Sequence, residues 1–212
     1  MRRLGIFGTS GFARDVADVA HDLGYMPFFI ARDAAERDAW RYADDVILES
    51  CIDSVASEAV FAIGIGDNDV REKIARRHSG KLKFVTLIHP SASFGRGQRA
   101  LVEAAQGIVV CAGVRFANNI SPGDFGIFNL NATVGHDVEI GGFVNVSPGA
   151  NISGNVSLGE RCWIGTGAMI NQGTPEIPLV IGDGTVIGSG SVVVRDCVPH
   201  AVYVGAPARR IK

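Results

Sequence analysis

The chain has little net charge, no long apolar run and no paired cysteines, and each absence removes a class of function. Lysine and arginine number 20 against 22 aspartate and glutamate, a formal net charge of −2. Neither nucleic acid nor an anionic membrane is therefore expected as a partner. No apolar stretch approaches bilayer length. The N-terminus, "MRRLGIFGTSGFARD", turns glycine-rich and polar after two arginines, without the apolar core or cleavage site of a secretory signal. The four cysteines, Cys51, Cys111, Cys162 and Cys197, are scattered and form no C-x-x-C. That spacing suits reduced thiols in a cytoplasm and argues against a disulfide framework or a zinc site. Histidine is also scarce where it would matter: residues 108–198 contain only His136.

What is present divides into two periodicities. Apolar residues make up 47% of the 212, enough for one large or two small globular units. Residues 1–88 alternate strand and helix patterns. "RLGIFG" (3–8), "MPFFIA" (26–31) and "AVFAIGIG" (59–66) are buried-strand candidates. "ARDVADVAHDLG" (13–24) places Val16, Val19, Ala20 and Leu23 on one helical face, with Gly24 as its stop. "DNDVREKIARRH" (67–78) starts with a capping Asp or Asn and sets Val70 and Ile74 on one side. "LKFVTLIH" (82–89) closes the half. The order predicts a small Rossmann-like parallel α/β domain over 1–88.

From residue 108 the chain cuts into hexads. Their third places are Val110, Phe116, Pro122, Phe128, Val134, Ile140, Val146, Ile152, Leu158, Ile164 and Ile170, and only Pro122 interrupts the bulky run. After a segment holding Pro175 and Pro178 the period resumes at Ile181, Ile187 and Val193, shifted by one residue. Six is the period of a parallel β-helix, in which three short strands and three turns make one coil and one inward side chain per strand fills a narrow core. A β-sandwich would alternate in twos. The prediction for 89–212 is a β-helix with a C-terminal tail, and prolines that cannot join the ladder should make 171–180 a loop.

This order of domains resembles the sugar O/N-acyltransferases. That family includes bacterial sialic acid O-acetyltransferases and the nucleotide-linked amino-sugar N-acetyltransferases of the bacillosamine and perosamine pathways. The resemblance is carried by "GIFGTSGFARDVADVA", "AIGIGDNDVREKI", "VTLIHPSASFG", the run "NLNATVGHDVEIGGFVNVSPGANISGNVSLGERCWIGTGAMI" and the closing "VYVGAPARRIK". It implies a left-handed β-helix, acetyl-CoA as donor, no metal, and a homotrimer with sites between neighbouring β-helices. It also implies a nucleotide-activated amino sugar held by the first domain. By position, His136 corresponds to a general base, Asp137 to its acidic neighbour, and Asn129 to an asparagine near the reacting groups. Gly154 matches a glycine whose amide faces the thioester carbonyl, and Thr166 and Ser189 lie along the pantetheine arm. Asn145 stands where several relatives have a second histidine, so this chain can donate a hydrogen bond there but cannot shuttle a proton.

The residue chemistry suits these assignments. Amide formation needs a free amine and stabilisation of an oxyanion. A histidine oriented by a carboxylate serves the first need and a backbone amide the second. A lone His–Asp pair, however, is usually a solvated turn. In the first domain, "GTSGFA" supplies Gly8, Thr9, Ser10, Gly11 and Phe12 at a strand-to-helix turn where a diphosphate can meet helix amides. Asp33, after the second strand, reads as a ribose- or base-contacting acid or as a helix cap. Asn68 reads as a sugar-bordering residue or a cap. His21 and His78 read as surface histidines, His89 as structural, and His200 as part of a tail loop.

Three rival functions follow from the same residues. O-acetylation of sialic acid or a related glycan would use the same base on a hydroxyl. A metal-dependent hydratase on a β-helix needs about three histidine ligands; the single histidine of residues 108–198 argues against it, and stoichiometric bound metal would argue for it. A non-catalytic sugar-nucleotide scaffold would leave His136 idle.

Overall fold

A computed structural model describes residues 2–212. Its first part is a four-stranded parallel sheet in the order β3-β2-β1-β4, formed by Arg3–Phe7 (β1), Met26–Ala31 (β2), Val46–Leu48 (β3) and Ala59–Ile63 (β4). Helix α1 (Gly11–Asp22) lays Val16, Val19 and Ala20 on this sheet, and Gly24, at φ +77°, ends it. Three elements not read from the sequence lie between β2 and β4: a short helix α2 (Ala34–Asp38), the edge strand β3 and a 3-10 turn (Glu49–Ser54). Helix α3 (Asn68–Arg77) is capped by Asp67, whose carboxylate accepts the Val70 amide at 2.9 Å.

The buried face of α3 differs from expectation. Val70 is 40% exposed, and the buried residues are Asn68, Arg71, Ile74 and Ala75. The helix packs against backbone carbonyls of the second domain, so a donor-bearing side chain turns inward where the apolar pattern had placed valine. His78 is likewise buried, not on the surface. Its Nε2 lies 2.9 Å from Glu49 Oε1, and it packs against Phe7.

From Leu87 onward the chain is a left-handed parallel β-helix with three faces. The first is an eight-stranded sheet from Leu87–Ile88 to Val202–Val204, closed by an antiparallel strand, Arg209–Arg210. The second runs from Ser93–Phe94 to Val192–Val193, and the third from Ile120–Pro122 to Leu179–Ile181. Leu87–Ile88, expected to close the first half, pairs with Val109–Val110 and so opens the β-helix. Phe128, Val146, Ile164 and Ile187 stack in register along the first face, all fully buried. Each such side chain contributes about 1.5–3 kcal/mol by leaving water. Helix α4 (Gln98–Ala104) takes the place of the first strand on the third face, and Gln98 ties it to Ile120 through both amide atoms.

The turns between faces repeat one conformation. Along each edge, residues of successive coils adopt the left-handed conformation and stack into columns, broken on the second-to-third edge where the 171–180 loop leaves the prism. The first-to-second edge uses mainly glycine: Gly113, Asn131, Gly149, Gly167 and Gly190. The second-to-third edge carries Asn119, Asp137 and Asn155, and the third-to-first edge carries Gly107, Phe125, Phe143, Arg161, Gly184 and His200. A left-handed conformation costs an L-residue about 1–2 kcal/mol, least for Asn and Asp.

The proline-bearing loop accounts for the shift in phase. Val138 pairs with Val156, but Val156 pairs with Leu179 where an uninterrupted coil would present Thr174. The chain leaves and re-enters at one atom: the Asn155 carbonyl accepts the Gly173 amide and the Leu179 amide, both at 3.1 Å.

Candidate functional site

His136 lies on the second-to-third edge, between Thr133–Val134 and Val138–Ile140. Its Nδ1 is 2.7 Å from Asp137 Oδ2, and Asp137 Oδ1 accepts from Asn119 Nδ2 at 2.6 Å. The hydrogen bond from Asn119, then that from His136, holds the Asp137 carboxyl below its ordinary pKa. A carboxylate there favours the tautomer with the proton on Nδ1, leaving Nε2 as acceptor. Sequence reasoning missed Asn119, although a residue one coil below Asp137 is found by counting three hexads back.

The imidazole is 67% exposed and lies against the next coil. A Cβ on Gly154 would sit 2.5 Å from the ring's Cε1 and Nε2, so only glycine leaves space for His136 in this pose. Beneath it, a Cβ on Gly135 would meet the Ser153 carbonyl carbon at 2.6 Å, which explains why adjacent coils close so tightly at this corner. The backbone around His136 is bonded both ways: Asp137 N to Asn118 O at 3.0 Å, and Asn155 N to His136 O at 2.8 Å. On the third face, Asp137 borders a groove of about 340 Å³ shared with Glu139 and Ser157, and Pro178 of the loop forms its wall.

The other positions expected near the acyl group lie elsewhere on the prism. Asn129, Thr166 and Ser189 are on the first-to-second edge, Thr166 and Ser189 in one column through the Gly190 N to Thr166 O bond. Asn129 accepts the Leu130 amide through its own Oδ1. Asn145 is on the first face and 4% exposed; its Nδ2 donates to Gly66 O at 3.1 Å and its Oδ1 is buried without a donor. Within one chain, therefore, Gly154 alone of these accompanies His136.

In the first domain a cavity of about 310 Å³ opens at the strand ends, lined by Gly8, Thr9, Ser10, Arg32, Glu36 and Lys73 among others. Gly8 has φ +103° and Ser10 is the cap residue of α1 with no side-chain bond to the helix, so the first-turn amides stay unclaimed by a cap. Gly11 is exposed beside them, whereas Phe12 packs against the core. Of the two dual readings, Asp33 proves to be a cap: Oδ1 accepts the Glu36 amide at 2.9 Å, Oδ2 pairs with Arg32, and these bonds lower its pKa. The carboxylates at the cavity are instead Glu36, bonded to Thr9 Oγ1 at 2.7 Å, and Glu49. Asn68 is not the cap of its helix, which is Asp67; both ends of its amide are engaged inside the protein, and it borders a separate cavity with Asp67 and Asp69.

The remaining histidines are dispersed. His89 bridges Asp22 and Ser91, while His21 and His200 are exposed. Among the described residues no three of His, Cys, Asp and Glu gather to hold a metal ion, and no helix is long and apolar enough to cross a membrane. All four cysteines are free. Burial pushes the Cys111 and Cys162 thiols up to about 12, which keeps them protonated and inert.

Comparison with known proteins bears out the resemblance read from the sequence. Residues 3–78 match the PglD N-terminal domain. GDP-perosamine N-acetyltransferase of Escherichia coli O157:H7 is 26% identical, over all of this chain and 97% of its own length. Among solved structures, PerB from Caulobacter crescentus, in complex with CoA and GDP-perosamine, superposes with a TM-score of 0.85 at 27% identity, covering 100% of this chain and 98% of that one. The acetyltransferase domain of PglB from Neisseria gonorrhoeae, in complex with acetyl coenzyme A, gives 0.84 at 28% identity and covers 99% of each chain.

Proposed function

We propose that this chain, a full-length homologue of the sugar N-acetyltransferases with a PglD-type first domain, acetylates the amine of a nucleotide-linked amino-deoxy sugar. The donor is acetyl-CoA. The observation that carries the reading is the Asn119–Asp137–His136 chain, ending in an exposed imidazole nitrogen over a residue without a side chain.

In this reading His136 Nε2 accepts a proton from the amine as its nitrogen attacks the thioester carbonyl. Asp137 orients the ring and stabilises the imidazolium that forms. The Gly154 amide faces the developing oxyanion. The carbon–sulfur bond then breaks, CoA leaves as the thiolate, and the imidazolium returns the proton to sulfur. No covalent enzyme intermediate is needed.

The arrangement calls for more than one copy. The base, the positions for the pantetheine arm and the nucleotide cavity lie on different edges, and the first domain covers the third-to-first edge rather than the one bearing His136. A homotrimer in which one chain's His136 faces its neighbour's first face would unite them. The nucleotide then occupies the cavity lined by Gly8–Ser10, Arg32 and Glu36 of the first domain. The enzyme works in the cytoplasm, as its unpaired thiols suit.

The test is an acetyl-CoA turnover assay with GDP-, UDP- and dTDP-linked 4-amino-deoxy sugars beside sialic acid. One amino sugar should turn over and its amide product should appear by mass spectrometry. Acetylation of a hydroxyl acceptor alone, or a monomer by sedimentation, overturns the reading.

A further inference from the structure

Arg71 is 1% exposed, yet it carries a full charge, and every acceptor around it is neutral. Its Nε donates to Phe125 O at 2.8 Å. Nη1 donates to Ile65 O at 3.1 Å and Gly66 O at 2.9 Å. Nη2 reaches Asn68 Oδ1 at 2.9 Å, Phe143 O at 2.6 Å and Val144 O at 3.3 Å. Burial lowers its pKa to about 10, still well above neutrality, so the guanidinium remains charged. All five N–H donors are used, which offsets the desolvation that an unpaired buried charge would suffer.

The acceptors fall into two sets: the turn 65–68 of the first domain, and successive coils of the third-to-first edge. Other bonds reinforce the same joint. Asn68 Nδ2 donates to Arg161 O at 2.8 Å and Cys162 O at 3.1 Å, and Asn145 donates to the Gly66 carbonyl that Arg71 also holds. This turn also separates two cavities. Ile65 lines the nucleotide cavity, while Asp67, Asn68 and Asp69 line a second, of about 410 Å³, completed by Arg161, Trp163 and His200.

We propose that Arg71 is a positioning residue for the acceptor: it clamps the wall between the two cavities to the β-helix and so fixes how far the nucleotide sits from the acyl-transfer groove. This rests on the reading of the first domain as the nucleotide-holding half. Lysine cannot replace it, because one ammonium offers three donors from a point and cannot serve a planar ring of carbonyls.

The experiment compares wild type, Arg71→Lys, Asn68→Ala and, as a control on an exposed side chain, Lys81→Ala. Initial rates are measured with acetyl-CoA and GDP-perosamine, or whichever amino-sugar nucleotide the wild type accepts. Amide hydrogen exchange is followed in the same preparations. Arg71→Lys should raise the acceptor KM at least tenfold while the acetyl-CoA KM stays within twofold. Exchange of residues 64–69 should quicken at least tenfold with the β-helix strands unchanged. Asn68→Ala should move both readouts the same way by several-fold, and Lys81→Ala neither. An acceptor KM within twofold of wild type overturns the assignment, as does a loss confined to kcat and melting temperature, which is what a purely packing role would give. If Arg71→Lys does not fold, Asn68→Ala decides by the same criteria. If the wild type acetylates no amino sugar, the functional reading has failed, and the exchange of 64–69 alone decides this one.

Discussion

Two edges of the prism use one backbone device for opposite ends. On the second-to-third edge, Asn119, Asp137 and Asn155 hold left-handed corners and leave polar groups facing solvent, with His136 beside them. On the third-to-first edge the same conformation is imposed on Phe125, Phe143 and Arg161, bulky residues that tolerate it poorly. Phe125 and Phe143 stack with centroids 5.2 Å apart, Phe125 also meets Phe84, and Arg161 reaches Glu72 at 3.2 Å. Here docking of the first domain compensates the backbone cost. One edge is left open to solvent and the other is closed by the first domain, and the corner residues differ accordingly.

Mutations on the two edges should therefore separate catalysis from stability. On the open edge, His136→Ala should lower kcat/KM by about 10²–10⁴, the range for a general base, with little change in melting temperature because the ring is mostly exposed. Phe125→Ala, on the closed edge, should cost about 3 kcal/mol in equilibrium denaturation, since alanine loses the buried ring without relieving the corner. Gly154→Ala should displace the imidazole and reduce kcat roughly 10²-fold in steady-state assays. Asn119→Ala should have a smaller effect, several-fold on kcat/KM. Without the bond that favours its ionised form, Asp137 protonates at a higher pH, so the acid limb of the pH–rate profile should move upward. The least change should come from Glu72→Gln, about 1 kcal/mol in denaturation, because the two ion pairs it weakens, with Arg161 and Arg76, are partly exposed. A large catalytic loss from Phe125→Ala in fully folded protein would break the separation.

The β-helix was legible because its core repeats one constraint: Val134, Ile140 and Val146 each fill the same inward place, and even the loop could be read as a slip in phase. The α/β half was legible from its strands. The joint between them was not. Arg71 binds carbonyls 54 to 73 residues away in the chain, and a carbonyl has no identity in a sequence, so an arginine in "VREKIARR" looks like a solvated charge. His78 misled for a related reason, since its partner Glu49 lies across the sheet in a 3-10 turn that has no strong pattern. His136 and Asp137 are adjacent in the sequence and hydrogen-bonded in the structure, but their separation from Asn129, Thr166 and Ser189 emerges only when hexads are wound onto three different edges.

The loop at 173–179 begins and ends on one carbonyl, that of Asn155, so the coils on either side cannot tell how long the excursion between them is. Chain can be added or removed there without turning a single core side chain outward, whereas an insertion within a strand would misalign every coil above it. The same loop supplies Pro178 to the groove that contains Asp137. Variation in the groove's outer wall is thereby uncoupled from the placement of His136. A homologue could exchange this stretch for another, reshape what the groove admits, and keep the imidazole where it is.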